Sequence, residues 1–130
     1  MSTHEQLAAL AKKFPASTIH QVPVGGGVKA DYVPASVVIE KLLAVVGPFT
    51  WEVRETIGDG PTRAVVVGRL TLEIDGRTVS VDGIGEGADL KAAESDAVKR
   101  AGRMAGVGLH LWSQSDYRLD RALRADEVES

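Results

Sequence analysis

The segment AVVVGRLTLEIDGRTVSVDGI, residues 64–84, decides the fold because two β-branched runs flank the turn signal Asp75-Gly76. A third run over residues 51–57 precedes it, and the sequence Gly58-Asp59-Gly60-Pro61 separates the two segments. The pattern predicts strands over residues 51–57, 64–74 and 78–84. Strands joined by connections this short form an antiparallel meander.

A long helix is predicted directly after the meander, over residues 90–109, with Asp89 as its N-cap. At about 100° per residue, small and apolar side chains fall on one face, which we expect to point inward. These residues are Ala97, Val98, Ala101, Met104 and Ala105. The opposite face carries Lys99, Arg100 and Arg103. The helix is therefore predicted to be amphipathic with a basic outer stripe.

The region before the meander predicts two further helices. One covers residues 4–13 and ends at Phe14-Pro15, and the other starts at Pro34 and ends at Gly47-Pro48. Between them, residues 16–24 predict an edge strand, and Gly25-Gly26-Gly27 predicts a turn or a close backbone approach.

Beyond the long helix, residues 117–124 predict a short helix, and residues 125–130 form an acidic end that we expect to fray.

These elements predict an α+β fold, in which a three-stranded antiparallel meander packs against a long helix and an N-terminal helical region is added. The 130 residues suit one domain, residues 1–130, and the formal net charge is −3. The chain contains 0 Cys, which excludes disulfides and thiolate metal sites. No apolar run approaches the length of a membrane span, so we expect a cytoplasmic protein without membrane contact.

The sequence gives no sign of an enzyme. His4, His20 and His110 lie far apart, and we expect no metal and no cofactor. The carboxylates between residues 82 and 96 suit caps and solvated faces, for example an ion pair between Asp96 and Arg100.

Glycines offer two weaker signals. The sequence GIGEG, residues 83–87, fits a kinked strand end or a bulge better than a phosphate cradle. Gly102, Gly106 and Gly108 fall inside the predicted long helix, where glycine costs up to about 1 kcal/mol, and this indicates a close neighbour there. Tyr32 could stack on a nucleobase or form half-buried packing.

Several ordered motifs resemble the Rad fifty-two type family of single-strand annealing proteins, which includes phage members. GGGVKADYV (residues 25–33) is similar to the family's G-G-G-x-K-x-x-Y-[IV], and GPFTW (47–51) to its G-x-x-x-W. DGIGEG (82–87) is similar to its D-x-G-Y-G stretch. AVKRAGRMAGVGL (97–109) is similar to A-L-K-R-A-x-R-x-[FL]-G-x-x-[LF]. The resemblance covers residues 14–117, the expected core of the domain.

The resemblance implies a β-β-β-α core assembled into a homo-oligomeric ring, with single-stranded DNA in a basic groove around the outside. It implies annealing of complementary strands without ATP, in recombination and repair, in a bacterial or phage-infected cell. A single-strand-binding protein or an exonuclease is a candidate partner.

The family pattern assigns DNA-binding roles to specific residues of this chain. Lys99, Arg100 and Arg103 would grip phosphates, and Lys29 and Tyr32 would line the same groove. Lys91 is the only basic residue between Gly87 and Ala97, where a second DNA site would lie. Val22 stands where some members have an arginine.

Two other functions remain open at this level. A double-stranded-RNA-binding domain has a similar order of elements, but it leaves the triple glycine, Tyr32 and the helix from Pro34 unexplained. Alternatively, the chain is an interaction module whose basic stripe is solvated surface. A hydrolase would need a catalytic constellation, and none is visible.

Overall fold

The computed structural model describes residues 2–58 and 63–108. The helices are α1 (Thr3–Ala11), α2 (Ala35–Val46) and α3 (Leu90–Met104), and the strands are β1 (His20–Gly25), β2 (Val28–Tyr32), β3 (Thr50–Ile57), β4 (Ala64–Ile74) and β5 (Arg77–Gly87). The three-stranded antiparallel meander, the helix packed on it and the N-terminal helix are confirmed. The predicted helix over residues 117–124 and the acidic end, 125–130, lie outside the described residues.

The meander has the strand order β3-β4-β5. Burial alternates along β4, from buried Ala64 and Val66 to buried Leu70, Leu72 and Ile74, because successive side chains point to opposite faces. The buried face is covered by α3 and by the hydrophobic core that α1 and α2 complete. The other face is uncovered within the described residues.

Strand β5 continues through Gly83, Gly85 and Gly87, so the predicted kink or bulge is wrong. Its register with β4 has no shift from Arg77 to Gly87. A Cβ on Gly85 would overlap the backbone of Ala97 in α3. These glycines therefore serve a close approach of the helix to the strand. The bulge in this sheet lies in β3, between Val53 and Glu55.

Helix α3 ends at Met104, so the prediction of a helix reaching residue 109 is wrong within the described residues. The amide of Val107 donates to the carbonyl of Gly102 at 2.9 Å, and the amide of Gly106 to that of Arg103 at 2.9 Å. With Gly106 at φ 99°, these two bonds form a Schellman C-cap. Gly106 and Gly108 thus end the helix and lie outside its interior.

The predicted inward face of α3 is correct for Ala97, Val98 and Ala101, but wrong for Met104, which is 70% exposed. Helix α2 covers α3 where Gly102 faces Val38, so closely that a Cβ at Gly102 would lie 2.8 Å from a Val38 methyl. This second neighbour extends the buried arc of α3 to Gly102. Met104 lies on the same face as the buried Ala97, but it is the last residue of the helix and is left exposed beside Ile84.

The predicted edge strand over residues 16–24 starts later than expected. A 3₁₀ turn occupies Ala16–Thr18, and β1 begins at His20. It pairs antiparallel with β2, a strand that the sequence analysis did not predict. Gly25, Gly26 and Gly27 all have positive φ, which confirms the predicted turn.

Helix α1 is anchored at both of its ends. Near its start, the Thr3 hydroxyl donates to the Asp75 carboxylate at 2.9 Å, which fixes α1 to the β4–β5 turn. At its end, the Lys41 ammonium donates to the carbonyl of Lys12 and lies 5.0 Å from the centroid of the Phe14 ring. Burial, together with the smaller effect of the nearby Lys12 charge, lowers the pKa of Lys41 to about 8. None of the helices in residues 2–58 and 63–108 has the length and apolar character needed to cross a membrane.

Candidate nucleic-acid interface

The basic stripe of α3 is held in place by small-residue packing on the opposite side of the helix. Ala97 and Ala101 are fully buried, and the backbone around Ala97 lies directly against Gly83 and Gly85. A helix packed backbone to backbone has little freedom to rotate, so the direction of its outer side chains is fixed. The stripe consists of Lys99, Arg100 and Arg103.

Lys99 and Arg103 are one helical turn apart and are both half-buried. Burial lowers the pKa of Lys99, and the neighbouring arginines lower it too, whereas Asp96 opposes them. Burial also lowers the pKa of Arg103, and Arg100 adds to this effect. An arginine remains protonated at any physiological pH. These positive charges are therefore incompletely solvated and would be stabilised by an anion.

Arg100 is more exposed and already has a carboxylate partner. Its Nε donates to Asp96 at 3.0 Å, which confirms the predicted ion pair. The same Asp96 carboxylate accepts from the amide of Glu86 in β5 at 3.1 Å. Asp96 thus links Arg100 to the edge of the sheet, and a phosphate at Arg100 has to compete with it.

Tyr32, at the end of β2, brings the hairpin to α3. The ammonium of Lys99 lies 4.3 Å from the centroid of the Tyr32 ring, which is a cation–π distance. We name the surrounding cavity, about 470 Å³ in volume, the Tyr32 cleft. It is lined by Tyr32, Asp89, Lys91, Ala92, Ser95, Asp96 and Lys99. Three of the predicted site residues, Tyr32, Lys91 and Lys99, therefore meet in one cleft.

A second cavity of about 270 Å³ lies between α3 and the end of β5, and we name it the Met104 cleft. It is lined by Asp82, Gly83, Ile84, Arg100, Arg103 and Met104. Asp82 accepts two bonds from Arg69, at 2.9 and 3.3 Å, and this pairing lowers the pKa of Asp82. The Asp82 carboxylate therefore pairs with Arg69 and points away from Arg100 and Arg103. One wall of the Met104 cleft is basic, and the other wall is apolar.

Lys29 is placed differently from the other predicted residues. It lies on β2, three positions before Tyr32, and strand alternation puts the two side chains on opposite faces of the hairpin. Within one subunit, Lys29 does not line either cleft. Val22 shares the Tyr32 face of the hairpin, so an apolar side chain stands there.

His20 is a candidate that the sequence analysis missed. It pairs directly with Tyr32 across the hairpin, and it is exposed. Directly paired residues project from the same face, so the imidazole neighbours the Tyr32 ring. His20 can be recognised as a neighbour of Tyr32 only once the pairing of β1 with β2 is known. The alternation of apolar and polar residues in VKADY is nevertheless a strand signal in the sequence.

Within the described ranges, no group of three or more histidine and carboxylate side chains is arranged to hold a metal ion. The chemistry that the two clefts offer is the binding of an anion next to an aromatic or aliphatic surface. No protein-family model matches this chain, and the comparison with curated proteins found no match.

Proposed function

We propose that this chain binds single-stranded DNA through the stripe on α3 and the Tyr32 cleft, and that it anneals complementary strands without ATP. The observation that carries the proposal is the pair of half-buried cations, Lys99 and Arg103, on one rigid helix face beside an exposed tyrosine. A desolvated cation gains more from a phosphate than a fully hydrated one does, because part of its hydration is already lost.

The spacing of the two cations suits a nucleic-acid backbone. Residues one helical turn apart are about 6 Å apart along the helix axis, so two successive phosphates can be held by one helix face. Such contacts position a strand and carry no sequence information. Bases can then remain accessible for pairing, which annealing requires.

The net charge of −3 limits what one subunit can do. A few cations on an acidic protein bind a strand weakly, and the binding is sensitive to salt. A ring that repeats the stripe along one strand would convert these weak contacts into avidity. We therefore include a homo-oligomeric ring of the Rad fifty-two type in the proposal, which the motif resemblance also supports.

An annealing assay tests the proposal directly. Two complementary labelled DNA strands are mixed in EDTA without ATP, and energy transfer is followed against protein concentration. The wild type should accelerate pairing and saturate at a fixed ratio of protein to nucleotides. The double variant Lys99→Gln/Arg103→Gln should lose most of the acceleration of pairing. The control Arg77→Gln, at the first residue of β5, should retain it.

The alternatives give distinct results in the same series. Tighter binding to duplex RNA than to single-stranded DNA, without acceleration, would indicate a double-stranded-RNA-binding module. Absence of binding to both, or equal loss in the Arg77→Gln control, would show that the stripe is ordinary solvated surface.

A further inference from the structure

Helix α2 is apolar around nearly its whole circumference. Of its 12 residues, only Ser36, Glu40 and Lys41 are polar. Val38 and Leu42 are buried in the core that α2 shares with α1, α3 and β4. A helix that is apolar on all sides is normally buried on all sides. The side of α2 that faces away from the core is therefore expected to have a cover.

A row of apolar side chains runs along this outer side of α2. Ala35, Ile39, Leu43 and Val46 are spaced so that each lies about one helical turn from the next. We define the α2 strip as these residues. None of them is fully buried, and Leu43 is 49% exposed. Contiguous exposed apolar surface of this kind marks an interaction site.

The chain leaves the described region next to α2. A Cβ on Gly108, the last described residue, would lie 3.3 Å from an atom of the Phe14 ring. The centroid of the same ring lies 5.0 Å from the ammonium of Lys41, a residue of α2. Residues 109–116 then precede the predicted helix over residues 117–124, and a stretch of that length reaches up to about 26 Å when extended. A helix is about 10 Å wide, so residues 117–124 can reach the outer side of α2.

Residues 117–124 have a pattern that matches the α2 strip. At helical spacing, Leu119 and Leu123 fall on one side of this segment, and Arg118 lies at the margin of that side. On α2, the exposed Glu40 flanks the strip. The two surfaces therefore combine matching apolar rows with flanking charges of opposite sign, which favours their association.

We propose that residues 117–124 form a helix that docks on the α2 strip of the same chain. Leu119 and Leu123 would cover the strip, and Arg118 would approach Glu40. The segment is tethered beside α2, so its effective concentration there is on the order of millimolar. A second copy of the chain, free in solution, would have to compete with that concentration. Docking within one chain is therefore favoured over docking between two chains.

The docked segment would leave the candidate DNA site open. The residues that line the Tyr32 cleft and the Met104 cleft belong to β2, β5 and α3 and to the residue before α3, and none belongs to α2. The docking therefore does not depend on the proposed function, and the two can be tested separately.

Cross-linking in the full chain tests the docking. Because the chain contains 0 Cys, two introduced cysteines are its only thiols. The variant Glu40→Cys/Arg118→Cys is treated, without DNA, with a bismaleimide that spans about 10 Å, the distance between packed helices. A cross-link within one chain should form, seen on a denaturing gel and by the mass of the joined peptides. The control Glu55→Cys/Arg118→Cys makes the same change in charge on the face of the meander opposite α3, and it should lose the cross-link.

A second measurement perturbs the α2 strip itself. Trypsin cleaves after arginine, and residues 117–124 contain three arginines. Leu43→Gln keeps a good helix former in α2 and loses the apolar contact. Cleavage within the segment should then accelerate about three- to tenfold, because part of a leucine's burial no longer stabilises the docked state. Val53→Gln, on an aliphatic side chain of similar exposure (45%) in β3, is the matched control and should leave the rate unchanged.

The possible results separate this docking from the other occupants of the strip. Cross-links that form only between two chains would overturn the proposal and show that a second copy covers α2. Absence of any cross-link, or an equal yield in the Glu55→Cys control, would overturn it as well. So would an unchanged cleavage rate in Leu43→Gln, or an equal acceleration in Val53→Gln. The cross-linking variants keep the whole α2 strip, so their result decides the question even if Leu43→Gln fails to fold.

Discussion

Removal of Arg103 is the sharpest perturbation of the proposed DNA site. The guanidinium is half-buried on α3, its pKa is lowered by burial and by Arg100, and it lines a cleft open to solvent. If Arg103 holds one phosphate per subunit, DNA binding by the Arg103→Ala variant no longer releases the counterions of that phosphate. The slope of log affinity against log salt should then fall by about 0.7 per bound subunit.

That slope change translates into a measurable difference between two salt concentrations. Between about 0.05 and 0.2 M salt, the affinity of the variant should fall about threefold less than that of the wild type. Fluorescence anisotropy with a labelled oligonucleotide measures both slopes. Arg100→Ala should show a smaller change, since Arg100 is already paired with Asp96 at 3.0 Å.

The control must make the same change in net charge. Arg77→Ala does so on the first residue of β5, away from both clefts. Its salt slope should equal that of the wild type. Equal slopes for Arg103→Ala and Arg77→Ala, whether both fall or neither does, would refute the assignment of a specific phosphate contact to Arg103.

Four further variants, at three positions, test the site and the packing of the fold. Tyr32→Phe should retain DNA affinity because the ring under Lys99 is kept. Tyr32→Ala should weaken binding about two- to fivefold in anisotropy titrations. Equal affinities of Tyr32→Ala and the wild type would contradict a role for the ring. Gly85→Ala should lower the free energy of unfolding in urea by about 3 kcal/mol, because its Cβ overlaps the backbone of Ala97; an unchanged midpoint would contradict the close packing. For Lys41, the folded-state pKa of about 8 lies below the ordinary 10.5, so between these values the unfolded state binds more protons. Wild-type stability should therefore rise from pH 8 to 10.5 relative to Lys41→Met, and parallel denaturation profiles would contradict this.

The meander and α2 could be predicted because their signals are local. Residues 64–84 contain two β-branched runs around a turn, and the α2 region has a wide apolar face bounded by Pro34 and Gly47. Neither pattern depends on contacts with distant parts of the chain. Their observed bounds differ from the predicted ones by three residues at most.

The wrong and missed predictions have a different origin, because each concerned a feature that depends on contacts with another element of the fold. Met104 lies on the same face of α3 as the buried Ala97, but it is the last residue of the helix and is exposed, and a helical wheel does not show where the covering elements end. The glycines of β5 were explained by the approach of α3, which a strand pattern cannot show. Strand β2 is stabilised by pairing with β1, so its five residues offer a weak signal alone.

The same close packing explains how an acidic chain can present an organised cationic site. Gly83 and Gly85 let α3 approach the sheet closely, and this contact fixes the rotation of the helix. Lys99 and Arg103 are half-buried, and neither forms an ion pair with a carboxylate in residues 2–58 and 63–108. The hairpin brings the Tyr32 ring centroid to 4.3 Å from the Lys99 ammonium. Because long-range charge is screened over about 10 Å at 0.1 M salt, the local arrangement outweighs the net charge of −3. The affinity for a strand should therefore depend on the geometry of α3, so a substitution such as Gly85→Ala should weaken DNA binding without changing any charge.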